Sequence, residues 1–133
     1  MNLENQVTSI ELSKKLKSLG VKQESTFYWY YGYDSWLLHY IDYNHTETDR
    51  EIFIKCNDGS NGVYSAFTVA ELGELLPTMT GTVKDYKSEN DWVAVYEICG
   101  ILQGCKFRDK NEADVRAKIL IHLIGNNLME VPK

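Results

Sequence analysis

No stretch of the chain approaches the roughly 18 to 20 consecutive apolar residues that a membrane-spanning helix needs. The longest apolar helical candidate, 113–128, is interrupted by Arg116, Lys118 and His122. No membrane partner is therefore expected. The first twenty residues carry Glu4 and Glu11 and lack the apolar centre of a secretory signal, so a cytoplasmic location is expected. Asn44-His45-Thr46 spells a glycosylation acceptor, which means nothing without export.

Cysteine is scarce as well. Cys56, Cys99 and Cys105 are odd in number, widely spaced and without the C-x2-C spacing of zinc or redox sites, which makes them reduced core thiols in expectation. Dense basic clusters are missing. The richest basic stretch, Lys106 to Lys118, is interleaved with Asp109, Glu112 and Asp114, and the sequence pI is about 5.2. Because phosphate neutralisation supplies most nucleic-acid affinity, nucleic acid is a poor candidate partner.

Catalytic spacings are absent too. His39, His45 and His122 share no H-x-x-x-H or H-E-x-x-H pattern, and Ser9 and Ser65 lack the G-x-S-x-G elbow that exposes a nucleophile. The turn Asn57 to Gly62 fails as a calcium loop: with Gly62 as its invariant glycine, the third and twelfth ligand positions fall on Gly59 and Thr68. Glycines 59, 62, 100 and 104 fit no phosphate-binding loop. No catalytic residue, metal ligand or cofactor is assigned.

What remains is an ordinary globular composition: 133 residues, 44% hydrophobic, 25% charged, net charge -5. Such a chain can bury a core without disulfides or metal, as one domain spanning 1–133. Three helices are marked. Val7-Thr8-Ser9-Ile10-Glu11-Leu12 and Phe67-Thr68-Val69-Ala70-Glu71-Leu72 each read as a capping box with a hydrophobic staple, Thr8 and Thr68 being the caps. Gly20 ends the first, whose inward stripe is Leu12, Leu16 and Leu19, and Pro77 stops the second. The shared string T-x-x-E-L-x-x-x-L is one capping solution used twice. The third helix is capped near Asn111 and ends near Gly125, with Ala113, Ala117, Leu120, Ile121, Ile124 and Leu128 on one broad face. Ile119 and Leu123 widen it, so two faces are expected to be covered.

Between the helices the period becomes two. Thr26 to Tyr33 and Trp36 to Tyr43 read as a hairpin, Arg50 to Cys56 as a third strand, and Thr82 to Lys87 with Trp92 to Ile98 as a second hairpin that 104–108 extends. The expected fold is α+β: an antiparallel sheet of about five to six strands with about three helices largely on one face.

The segment from Ser65 to Pro77, S-A-F-T-V-A-E-L-G-E-L-L-P, then Glu112 to Ile121, E-A-D-V-R-A-K-I-L-I, and Asn127 resemble a group of small uncharacterised proteins encoded by bacteriophages, prophages and other mobile elements of gut and related bacteria. Members similarly open with a Lys-rich helix ending in L-G, like Leu19-Gly20, and an aromatic strand like Phe27-Tyr28-Trp29. The motifs are capping and core motifs. The resemblance implies a bacterial intracellular setting in which small accessory proteins act on host machinery or host defence, and it assigns no functional residue.

One concentration stands out. Nine of the sixteen aromatic residues lie between Phe27 and Tyr43. Strand alternation puts Phe27, Trp29, Tyr31 and Tyr33 on one face and Tyr28 and Tyr30 on the other, so rings line both faces of the hairpin. In the plainest reading Phe27, Trp29 and Tyr31 pack under helices and the other tyrosines pair across strands. A sharper reading takes Tyr28, Tyr30, Tyr33, Trp36 and Tyr40 as a surface for a host or phage protein or for a second copy of the chain. Asp34, Asp42, Glu47, Asp49, Glu51 and Asp58 would give that surface a negative rim suited to a basic partner. The alternative is a small nucleotide-like ligand, or a small enzyme acting on one, with rings stacking a base.

Overall fold

A computed structural model of the chain describes residues 2–41, 47–77 and 81–132, with backbone only at 47–48. After a 3-10 turn at Leu3–Asn5 come α1 (Ile10–Ser18), β1 (Phe27–Gly32), β2 (Ser35–Tyr40), α2 (Glu47–Asn57), β3 (Val63–Ser65) and α3 (Val69–Leu75). Then follow β4 (Thr82–Ser88), β5 (Asp91–Ile98), β6 (Ile101–Asp109) and α4 (Glu112–Gly125). The fold is α+β, and no helix among the described residues is long and apolar enough to cross a membrane.

Two expectations need correction. The strands form two three-stranded antiparallel sheets, ordered β2-β1-β3 and β4-β5-β6, rather than one sheet. Arg50 to Cys56 is not a strand but part of α2, a fourth helix. Its half-buried positions Arg50, Phe53, Ile54 and Asn57 are spaced i, i+3, i+4, i+7, a helical period that coexists with the period-two set Ile52, Ile54 and Cys56. The end of the expected second strand, beyond Ile41, and His45 lie outside the described residues.

The helices divide accordingly. Leu16 of α1, Phe67 and Leu72 at α3, and Val115, Ile119, Leu120 and Leu123 of α4 share the main core with Ala94, Tyr96 and Cys105 of the second sheet. Both expected faces of α4 are thus filled, whereas Leu128 lies past its end and is exposed. The first sheet has two smaller clusters. Val7, Trp29 and Ala66 gather on one side, and Tyr28, Ile41 and Val63 meet Phe53 and Ile54 of α2 on the other.

The segment 7–9 joins the halves. Val7 bridges Thr68, the Thr8 amide donates to the Phe67 carbonyl, and the indole Nε1 of Trp29 donates to the Thr8 carbonyl at 2.8 Å. This explains why the first expected cap shifts by one residue. Thr8 Oγ1 is taken by the Phe67 amide at 3.0 Å and by Ser13 Oγ at 2.7 Å, so Ser9 caps α1 by accepting from the Leu12 amide. At α3 Thr68 Oγ1 is left to the Glu71 amide, and Thr68 and Glu71 form the full capping box even though Glu71 also accepts from Ser25.

Thr8→Val keeps the shape of this fully buried side chain but strands the Phe67 amide. A loss of about 1 to 3 kcal/mol is expected in urea denaturation, with Thr8→Ser retaining most of the stability. Equal stability of wild type and Thr8→Val would remove Thr8 from the seam.

Candidate functional site

The hairpin pairs Phe27 with Tyr40, Tyr28 with His39, Trp29 with Leu38, Tyr30 with Leu37 and Tyr31 with Trp36. Alternation then sends the rings to opposite faces. On the even face α2 acts as a lid. Phe53 stacks on His39 with centroids 4.1 Å apart and meets Tyr30 edge-on at 5.7 Å. Tyr28 is fully buried beneath it, its hydroxyl accepting from the Ser25 amide and donating to the Gln23 carbonyl. Burial pushes the Tyr28 phenol above its ordinary range, against the weaker opposing pull of the Ser25 bond. Of the five residues singled out in the sequence, Tyr28 is therefore core, and Tyr30 is half-buried under α2.

The odd face is different. Phe27 and Tyr40 pack at 5.2 Å, Tyr31 meets Trp36 edge-on at 5.4 Å, and Trp36 reaches Tyr64 of β3 at 5.9 Å. Trp29 is buried by the N-terminal segment, but Tyr31 stays 41% and Tyr40 51% exposed. Trp36 and Tyr40 do share a surface, then, and its other members are Phe27 and Tyr31, which the plainest sequence reading sent to the core. Their place was legible in the strand period; their exposure was not, because it depends on how far α1 reaches.

Lysines edge this face. Lys14 Nζ sits 4.7 Å from the Trp36 ring, and Lys17 Nζ sits 5.0 Å from Tyr64 while donating to the Val63 carbonyl. The i, i+3 spacing of Lys14 and Lys17 was the available signal. Of the expected negative rim, Asp34 lies at the hairpin tip and Asp58 is exposed beyond α2, whereas Asp49 and Glu51 belong to α2, which covers the even face. Asp42 and the Glu47 side chain lie outside the described structure.

Tyr33 occupies that tip. It is 96% exposed at φ 52°, followed by Asp34 at φ 63°, between the paired Gly32 and Ser35. A two-residue turn with both φ positive suits Asn-Gly; a bulky tyrosine there is strained and gains no packing. Beside it β2 forms the outer edge of its sheet with the sequence S-W-L-L-H-Y, free of lysine, arginine, aspartate, glutamate and proline. Edge strand β4, by contrast, carries Lys84, Asp85 and Lys87, and edge strand β6 carries Lys106, Arg108 and Asp109. Charges of that kind discourage strand addition, and β2 lacks them.

Away from the hairpin, Asp85 of β4 and Glu112 of α4 form a carboxyl pair held by Arg116. Arg116 donates Nε and Nη2 to Asp85 Oδ1 at 3.1 and 2.8 Å, and Nη1 to the Val69 carbonyl at 2.8 Å. Burial, the hydrogen bond to Asp85 and the Asp85 charge push Glu112 up to about 7. Burial works against ionisation of Asp85, but bonds from Glu112 and Arg116 and the Arg116 charge still hold it low. The pair ties β4, α3 and α4 together and stores a proton near neutrality. Among the described residues no group of His, Cys, Asp and Glu is placed to hold a metal. The thiols are free, and two, Cys56 and Cys99, are exposed, contrary to the expected core positions; only Cys105 is buried.

No protein-family model, curated protein or solved structure matches the chain.

Proposed function

We propose that the protein is a non-enzymatic interaction module that receives an extended segment of a partner protein along the edge of β2 and over the rings of Phe27, Tyr31, Trp36 and Tyr40. The observation that carries this reading is the half-open aromatic face beside an uncharged strand edge. Main-chain bonds to an edge strand give affinity, and rings with an apolar body and a polar tip give selectivity. Lys14 makes an acidic segment the fitting partner, rather than the basic one suggested by sequence order. The strained, bare Tyr33 supports the same reading, because a residue that breaks a local rule without packing gain marks a functional surface. The setting implied by the phage and prophage resemblance is the bacterial cytoplasm, with a host or phage protein as partner.

A photo-crosslinking residue replacing Tyr31 in the full chain, expressed in a bacterial host, tests this. A discrete adduct is expected from position 31 and none from position 52, on the outer side of α2. Trp36→Ala should reduce the adduct about tenfold, equivalent to about 1.4 kcal/mol, without changing thermal stability by more than a few degrees. Equal adducts from both positions, or an adduct indifferent to Trp36→Ala, would overturn the reading. An adduct of twice the chain mass would identify a second copy as the partner instead.

A further inference from the structure

A groove of about 720 Å³ lies between the two sheets and meets the aromatic face only at Phe27. Leu3, Phe27, Val69 and Trp92 supply apolar wall, and Lys87 and Lys110 stand on its rim. Residues from six parts of the chain converge there, including β1, the start of α3, the facing ends of β4 and β5, and the link between β6 and α4. Its volume falls within the range of small-molecule sites, which combine mostly apolar lining with a few placed polar groups.

Two features set the chemistry. Lys87 is the cross-strand partner of Trp92 and holds Nζ 5.4 Å from its ring, so a cation and a flat apolar surface adjoin. Neither Lys87 nor Lys110 forms an ion pair among the described residues, although Lys84 and Lys118 both do. Among the described residues Glu112 is the one carboxylate lining the groove; it shares its interactions with Asp85 and Arg116, and the Lys87 charge also acts on it without forming an ion pair. The rim therefore carries two cations against one acid that Asp85 and Arg116 already engage. A ligand with an apolar ring would bury it against the wall, and its anion would find the unpaired ammonium groups.

We propose that this groove is a binding site for a small molecule composed of a flat ring system and one anionic group, the ring against Phe27 and Trp92 and the anion toward Lys87 and Lys110. Carboxylates and phosphates share this chemistry. Indole-3-acetate represents the first, adenosine monophosphate the second, and tryptamine is the cationic control with the same ring as indole-3-acetate.

Titration of the isotopically labelled full chain, followed by NMR, tests the site. Saturable shifts at the Trp92 indole and the Val69 methyls are expected with indole-3-acetate, adenosine monophosphate or both, and the tighter of the two distinguishes a carboxylate from a phosphate ligand. Tryptamine should bind at least tenfold more weakly than indole-3-acetate. The double variant Lys87→Glu, Lys110→Glu should weaken anion binding at least tenfold at unchanged thermal midpoint, while Trp36→Ala leaves it intact. The proposal is overturned by equal binding of tryptamine, by indifference to the charge reversal, by the absence of saturable shifts with either anion, or by shifts centred on Trp36. That last outcome would move the ligand to the aromatic face, so the groove and the docking surface fail separately.

Discussion

Tyr28→Ala is expected to cost about 3 to 5 kcal/mol, a large share of the roughly 5 to 15 kcal/mol that stabilises an ordinary domain. The ring is fully buried against Phe53, Ile41 and Val63, and its removal leaves a cavity beneath α2 and an unpartnered Ser25 amide. Tyr28→Phe keeps the ring and removes only the hydroxyl, for an expected loss of about 1 kcal/mol. Five residues away, Tyr33→Asn should leave stability unchanged or raise it by up to about 1 kcal/mol, since asparagine tolerates the positive φ that strains tyrosine. Urea denaturation followed by tryptophan fluorescence reads all three. A Tyr28→Ala loss below about 1 kcal/mol would mean that α2 does not cover this face.

The contrast shows what the hairpin sequence discloses. Period-two alternation separates Tyr28 and Tyr30 from Phe27, Trp29 and Tyr31 without any coordinates, and the observed register agrees. Which set stays open depends on both α1 and α2, and α2 was hidden because Ile52, Ile54 and Cys56 recur at every second position, as on one face of a strand. Ile52, which that alternation would bury, is 55% exposed, while its neighbour Phe53 closes the even face. One misread element thus moved Tyr28 and Tyr30 from the candidate surface into the contact with α2, while Trp36 and Tyr40 stayed on the open face.

Local signals fared better where no long-range group displaced the cap. Thr68 and Glu71 cap α3 as read, and Glu71 also accepts from Ser25 and the Thr26 amide, tying α3 to β1. Thr8 sits in the same string but faces a long-range competitor, the Phe67 amide 59 residues away. No local pattern can express such a competitor. The division into two sheets was likewise beyond reach, since strand order depends on pairings between segments and not on their composition. The Asp85, Glu112 and Arg116 cluster joins residues up to 31 apart in sequence, and the groove joins more distant ones.

That cluster makes stability fall with rising pH over a defined window. The folded Glu112 carboxyl holds its proton up to about 7 against an ordinary 4.5, so the native state binds more protons than the unfolded chain between those values. Stability from this group is complete below about 4.5 and is lost as the pH climbs through 7. Asp85 acts in the opposite sense: its depressed pKa contributes stability above its ordinary 3.8 that is lost on acidification. Glu112→Gln should therefore match wild type within about 0.5 kcal/mol near pH 5 and exceed it by about 1 to 2 kcal/mol near pH 8, where the wild-type carboxylate faces Asp85. Arg116→Ala should do the reverse, costing about 3 kcal/mol near pH 8, because Asp85 is left half-enclosed without its cation. The cost should shrink toward pH 5, where Glu112 is protonated. Arg116→Lys cannot reach both Asp85 and the Val69 carbonyl with a single ammonium in the same fork geometry, and it should recover less than half of that loss. Asp114 is also raised by burial, so the comparison is made as a difference between variants, with Asp114→Asn as a second background. Identical pH profiles for wild type and Glu112→Gln would show that the proton near neutrality is held elsewhere.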